Sequence, residues 1–61
     1  MEMINEMTAA MMLNRLETKN TPRSIELFEE LELIIDRNLE EENEFYEIST
    51  ELFTAIYETL S

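Results

Sequence analysis

The sequence predicts an all-α fold of three helices, and two observations carry that expectation. The 61 residues contain no glycine and one proline, so the chain has almost no punctuation, while Glu, Leu and Met, all good helix formers, are abundant. Apolar residues recur at spacings of three and four along most of the chain, the period of an amphipathic helix.

The firmest boundary is Lys19-Asn20-Thr21-Pro22. Thr21 can cap a helix, and Pro22 suits the first helical position, where a missing N–H does no harm. The first helix is expected over about residues 2–18, fraying at its start. Its apolar residues divide between two faces: Ile4, Met7 and Met11 follow one stripe, and Ala9, Met12, Leu13 and Leu16 the opposite one. The second helix is expected over about 22–37, with Arg37 suiting its negative end and Asn38 able to take a left-handed stop. Leu27, Phe28, Leu31, Ile34, Ile35 and Leu39 form its apolar side, and Ser24 reads as a first-turn residue. Leu33 stands among the acids on the other side, either a lone exposed leucine or a partner contact. The third helix is expected over about 44–60, capped by Asn43, with Phe45, Ile48, Leu52, Ile56 and Leu60 flanked by Tyr46, Phe53 and Tyr57. Residues 38–43 hold no true breaker, so the second and third helices can also be read as one long helix.

Sixty-one residues make one domain, spanning 1–61. A chain this short buries only about 60% of the surface its unfolded form exposes, and there is no cysteine to compensate with disulfides. An apolar fraction of 44% and two-faced helices then favour self-association. The expectation is a homodimeric helical bundle, with Met7, Met11, Phe45, Leu52, Phe53, Ile56 and Tyr57 at the interface. The five methionines, all within the first twelve residues, suit either an adaptable interface or an imprecise core.

Fifteen acids against four bases give a formal net charge of −11, more negative than solubility requires. Self-repulsion at such a charge costs stability. The sign argues against nucleic acid and anionic membranes as direct partners, because both attract Lys and Arg, and leaves basic proteins. The first residues carry Glu2 and Glu6, with no cation before Arg15, unlike the positive start of a secretory signal; no apolar run approaches the ~18 residues of a membrane span. The expected location is the cytoplasm.

Catalytic motifs are missing. There is no His, no Cys, and no Gly for a phosphate-cradling loop; Ser24, Ser49 and Ser61 have no base to activate them. The alternating Asp/Asn-then-Gly pattern of a calcium loop is absent as well. The expectation is a protein without enzymatic activity, cofactor or metal.

What remains is the arrangement of the acids. Glu44, Glu47, Glu51 and Glu58 would share one face of the third helix, with Thr54 filling the gap. Glu26, Glu29, Glu30, Glu32, Asp36 and Glu40 form a broader acidic surface on the second, and Glu40, Glu41 and Glu42 connect the two. No cation follows Arg37. A row of carboxylates on a rigid body can imitate the phosphates that a DNA-binding protein contacts; the plainer reading is a solvated helical surface. The candidate partner-binding residues are Glu26, Glu29, Glu30, Asp36, Glu40, Glu41, Glu42, Glu44, Glu47, Glu51 and Glu58.

In size, charge, helical pattern and the carboxylate runs Glu26–Glu32 and Glu40–Glu51, the chain resembles the small acidic DNA-mimic proteins that lytic bacteriophages make during host takeover. Those include a helical dimeric type that inhibits the bacterial nucleoid protein HU. The resemblance covers the whole chain, rests on no motif and transfers no residue-level role. It implies an inhibitor that occupies the DNA-binding face of a basic host protein, HU foremost, and so associates with the nucleoid through that partner. The alternative is a helical regulatory module that docks through an apolar stripe on RNA polymerase, a repressor or another host enzyme.

Overall fold

A computed structural model describes all residues, 1–61. The chain runs β1 (Glu2–Ile4), α1 (Glu6–Lys19), α2 (Pro22–Glu40), β2 (Tyr46–Ile48) and α3 (Thr50–Leu60). Three helices are present as the sequence predicts. The all-α expectation is corrected by a two-stranded antiparallel sheet, in which Glu2 pairs with Ile48, Met3 with Glu47 and Ile4 with Tyr46.

Each helix starts at a local signal. Asn5, in extended conformation, accepts from the Thr8 N–H at 2.7 Å and so begins α1 four residues later than expected. Thr21 and Ser24 form a reciprocal cap on α2. The Thr21 hydroxyl accepts from the Ser24 N–H at 3.1 Å, and the Ser24 hydroxyl accepts from the Thr21 N–H at 2.8 Å. Pro22 opens α2 as predicted. Ser49, not Asn43, caps α3 by accepting from the Leu52 N–H at 3.1 Å.

Of the two stops, the first falls where expected and the second does not. Asn20, at φ 51°, ends α1 in the left-handed region that Asn tolerates, and its N–H returns to the Leu16 carbonyl. Asn38 does not terminate α2. The helix continues to Glu40, and the left-handed residue is Glu42, at φ 59°. Residues 41–45 then separate α2 from the strand, so the reading of one long helix does not hold.

The core draws on every element: Ile4 from β1, Ala9 and Leu16 from α1, Leu27 and Leu31 from α2, Tyr46 and Ile48 from β2, Leu52 and Ile56 from α3. At about 25 cal/mol per Å² of apolar area, each fully buried Leu or Ile contributes roughly 1.5–3 kcal/mol relative to exposure. Of the two stripes predicted on the first helix, the one through Ala9 and Leu16 packs inward, with Met12 and Leu13 at its margin. The other breaks up. Ile4 enters the core from a strand, and Met7 and Met11 stand in solvent. Phe28, Ile34 and Ile35 flank the α2 core residues, but Leu39 is exposed and Asn38 takes the inward position.

Asn38 is satisfied there. Its amide nitrogen donates to the Ile34 carbonyl at 2.8 Å and to the Glu47 carbonyl at 3.4 Å, while its amide oxygen accepts from the Glu47 N–H at 3.1 Å and from the Asn43 amide at 2.7 Å. One side chain thereby fastens β2 to α2. No buried side-chain nitrogen or oxygen is left without a partner.

Candidate functional site

The acidic face is set by the burial of α2. With Leu27, Leu31 and Asn38 turned inward, the 3.6-residue period puts Glu26, Glu29, Glu30, Asp36 and Glu40 on the outer side, and all five are exposed. Glu32 joins them at the margin. Leu33 lies in the middle of this face and is 71% exposed, with Glu29, Glu30, Asp36 and Arg37 at spacings of three and four around it. Its apolar side chain is thus ringed by charge.

The predicted ladder of four carboxylates on the third helix is corrected. Only Glu51 and Glu58 share a face of α3, with Thr54 between them. Glu47 projects from β2, where Tyr46 and Ile48 on either side turn inward. Glu44 lies in the connection before the strand and shares a shallow depression with Glu6, Met7 and Phe45. The physical reason is the chain reversal between α2 and β2, which ends the helical register before residue 44.

Tertiary packing makes other groupings. Glu26 and Glu30 of α2 line a cleft with Glu51 of α3, beside Arg23 and Ser49. Glu41 and Glu47 line another with Arg37 and Asn38. All eleven acids singled out in the sequence are exposed. The chain holds one ion pair, Arg23 with Glu26, so the remaining carboxylates have no cation in contact. Like charges four apart, as in Glu26–Glu30, Glu32–Asp36 and Asp36–Glu40, destabilise a helix by about 0.2–0.5 kcal/mol each. Glu40 at the end of α2 and Glu58 near the end of α3 oppose the helix dipole as well. The surface therefore costs stability. No three His, Cys, Asp or Glu side chains converge as they would around a metal ion, and no helix is long and apolar enough to cross a membrane.

The residues expected at a dimer interface separate into two kinds. Leu52 and Ile56 are buried in the protomer's own core, at 8% and 0% exposure, and offer no free surface to a second copy. Met7, Met11, Phe45 and Tyr57 are exposed and Phe53 half-buried. Met11, Phe53 and Tyr57, with Met12, Arg15 and Leu60, line a cavity of ≈ 270 Å³ between α1 and α3. Arg15 in this cavity, Glu6 beside Glu44, and the amide of Asn38 were not anticipated. The signal for Asn38 was present, as a polar residue four after Ile34 and seven after Leu31 on the apolar stripe. No family model matches the chain, and no curated protein or solved structure is found similar to it.

Proposed function

We propose that the protein is an acidic DNA mimic, which occupies the DNA-binding surface of a basic protein and displaces DNA from it. The supporting observation is the outer face of α2 with Glu51 alongside: exposed carboxylates at spacings of three and four, with a single ion pair in the whole chain. The 19 residues of α2 extend about 28 Å, the length of about eight base pairs at 3.4 Å per step. A rigid helix keeps the carboxylates spaced along that length without ordering anything further on binding. HU is the proposed partner, on the resemblance to phage inhibitors of host nucleoid proteins. The protein acts in the bacterial cytoplasm as a homodimer, and it performs no chemistry of its own.

The test is competition for HU between a labelled DNA duplex and the protein, with Glu29→Gln/Glu30→Gln/Glu51→Gln as the comparison. Glutamine preserves shape and nearly all helix propensity. Three surface charges at about 0.5 kcal/mol each make about a tenfold loss of affinity. A triple variant that displaces DNA as well as the parent would overturn the proposal.

A second reading is favoured by Leu33, exposed at the centre of the same face. It is docking through an apolar contact on a host enzyme, repressor or polymerase, with the acids as a polar rim. Leu33→Ser separates the two. It abolishes binding at every salt concentration if the apolar contact dominates, and changes DNA displacement less than the triple Gln variant if charge dominates.

A further inference from the structure

The two edges of the small sheet are unlike. Both the N–H and the C=O of Glu47 bond to the Asn38 side chain, and in an antiparallel strand the two groups of one residue point the same way. The outer edge of β2 is thus closed. Met3, directly opposite Glu47 in the register, must then turn its own N–H and C=O away from β2, and no other backbone or side-chain group meets them. The outer edge of β1 is open, and Met1, Met3 and Met7 are exposed on and beside it.

We infer that this edge pairs with β1 of a second copy, antiparallel about a two-fold axis through Met3, which joins the two short sheets into one of four strands. The inference rests on the homodimer reading above and gives it a geometry. Two observations select a second copy as the occupant. An antiparallel edge is self-complementary, since Met3 of each chain can give its N–H to the Met3 carbonyl of the other. Charge makes this a less repulsive approach for two chains of net charge −11 than the α2 face: β1 itself carries Glu2 alone beside the N-terminal ammonium, with Glu6, Glu44 and Glu47 flanking it, while the outer side of α2 is crowded with carboxylates. The arrangement also leaves the acidic faces of both copies uncovered.

Met3→Pro tests it. The substitution removes the outward N–H, which an edge strand tolerates, replaces the exposed Met3 side chain by a ring that stands where the second strand would pair, and favours the extended conformation Glu2 already has. Sedimentation equilibrium at low micromolar concentration is expected to show a parent dimer and a variant of unchanged helicity that self-associates at least about tenfold more weakly. Hydrogen exchange on the parent provides a readout that needs no variant: the Met3 amide is protected when the protein is dimeric and becomes unprotected on dilution to monomer. A dimer whose Met3 amide exchanges freely, or a folded Met3→Pro protein that dimerises like the parent, overturns the edge pairing and leaves the homodimer reading standing. A parent that stays monomeric at about 100 µM, well above the Kd of a micromolar dimer, overturns both.

Discussion

Glu42 holds a backbone conformation that its residue type disfavours. Its φ of 59° lies in the left-handed region, where a side chain with a Cβ costs roughly 1–2 kcal/mol. Its N–H bonds to the Leu39 carbonyl at 3.0 Å, and the Asn43 N–H to the Asn38 carbonyl at 3.0 Å, so the conformation is fixed by the closing turn of α2. Glu42→Gly is predicted to raise stability by about 0.5–1 kcal/mol, the strain relief less the larger entropy of an unfolded glycine. Glu42→Gln, which keeps the strain and removes the charge, is predicted to fall short of that gain. Urea unfolding of the two variants checks this, and a glycine variant less stable than the parent would contradict it. Nothing in the sequence marked Glu42 as the turning point. Asn38 and Asn43, the residues with the better intrinsic tolerance of that conformation, are both engaged in the amide network instead.

At the scale of elements, that network replaces a strand. Asn38 presents a donor and an acceptor to Glu47 much as a neighbouring backbone would, and the Asn43 amide braces it from the connection. Asn38→Ala leaves two backbone groups of β2 without a protein partner, and it is predicted to cost about 1–3 kcal/mol and to speed hydrogen exchange at the Glu47 amide. Exchange at Glu47 unchanged in that variant would show that the network does not hold the strand. The strands were hidden in the sequence for a physical reason. Phe45, Ile48 and Leu52 satisfy a helical spacing, while Tyr46, Glu47 and Ile48 satisfy a strand's alternation equally well, and three residues are too few to decide between the periods. Ser49, followed by Thr50 and Glu51, was the available sign that the last helix starts there. By contrast Thr21-Pro22 fixed the start of α2 unambiguously, because a cap and a proline agree at adjacent positions. The acidic face of α2 was legible for the same reason that α2 was. The ladder through Glu44 and Glu47 failed with the helix that was to carry it.

For the whole molecule, the dominant quantity is a charge of −11 on a body of 31 × 17 × 17 Å. Repulsion at that density opposes folding, and the single ion pair does little to relieve it, since a surface pair contributes at most about 1 kcal/mol. An acidic face that serves recognition must act through long-range attraction, which ionic strength screens over about 8–10 Å under near-physiological conditions. An apolar contact centred on Leu33 would be nearly indifferent to salt. The affinity for HU measured as a function of sodium chloride therefore separates charge recognition from apolar docking. A DNA mimic is expected to displace DNA from HU with an affinity that falls at least about tenfold between roughly 50 and 200 mM salt; an affinity that stays flat across that range, or no binding to HU even at the lower salt, rules DNA mimicry of HU's ligand out.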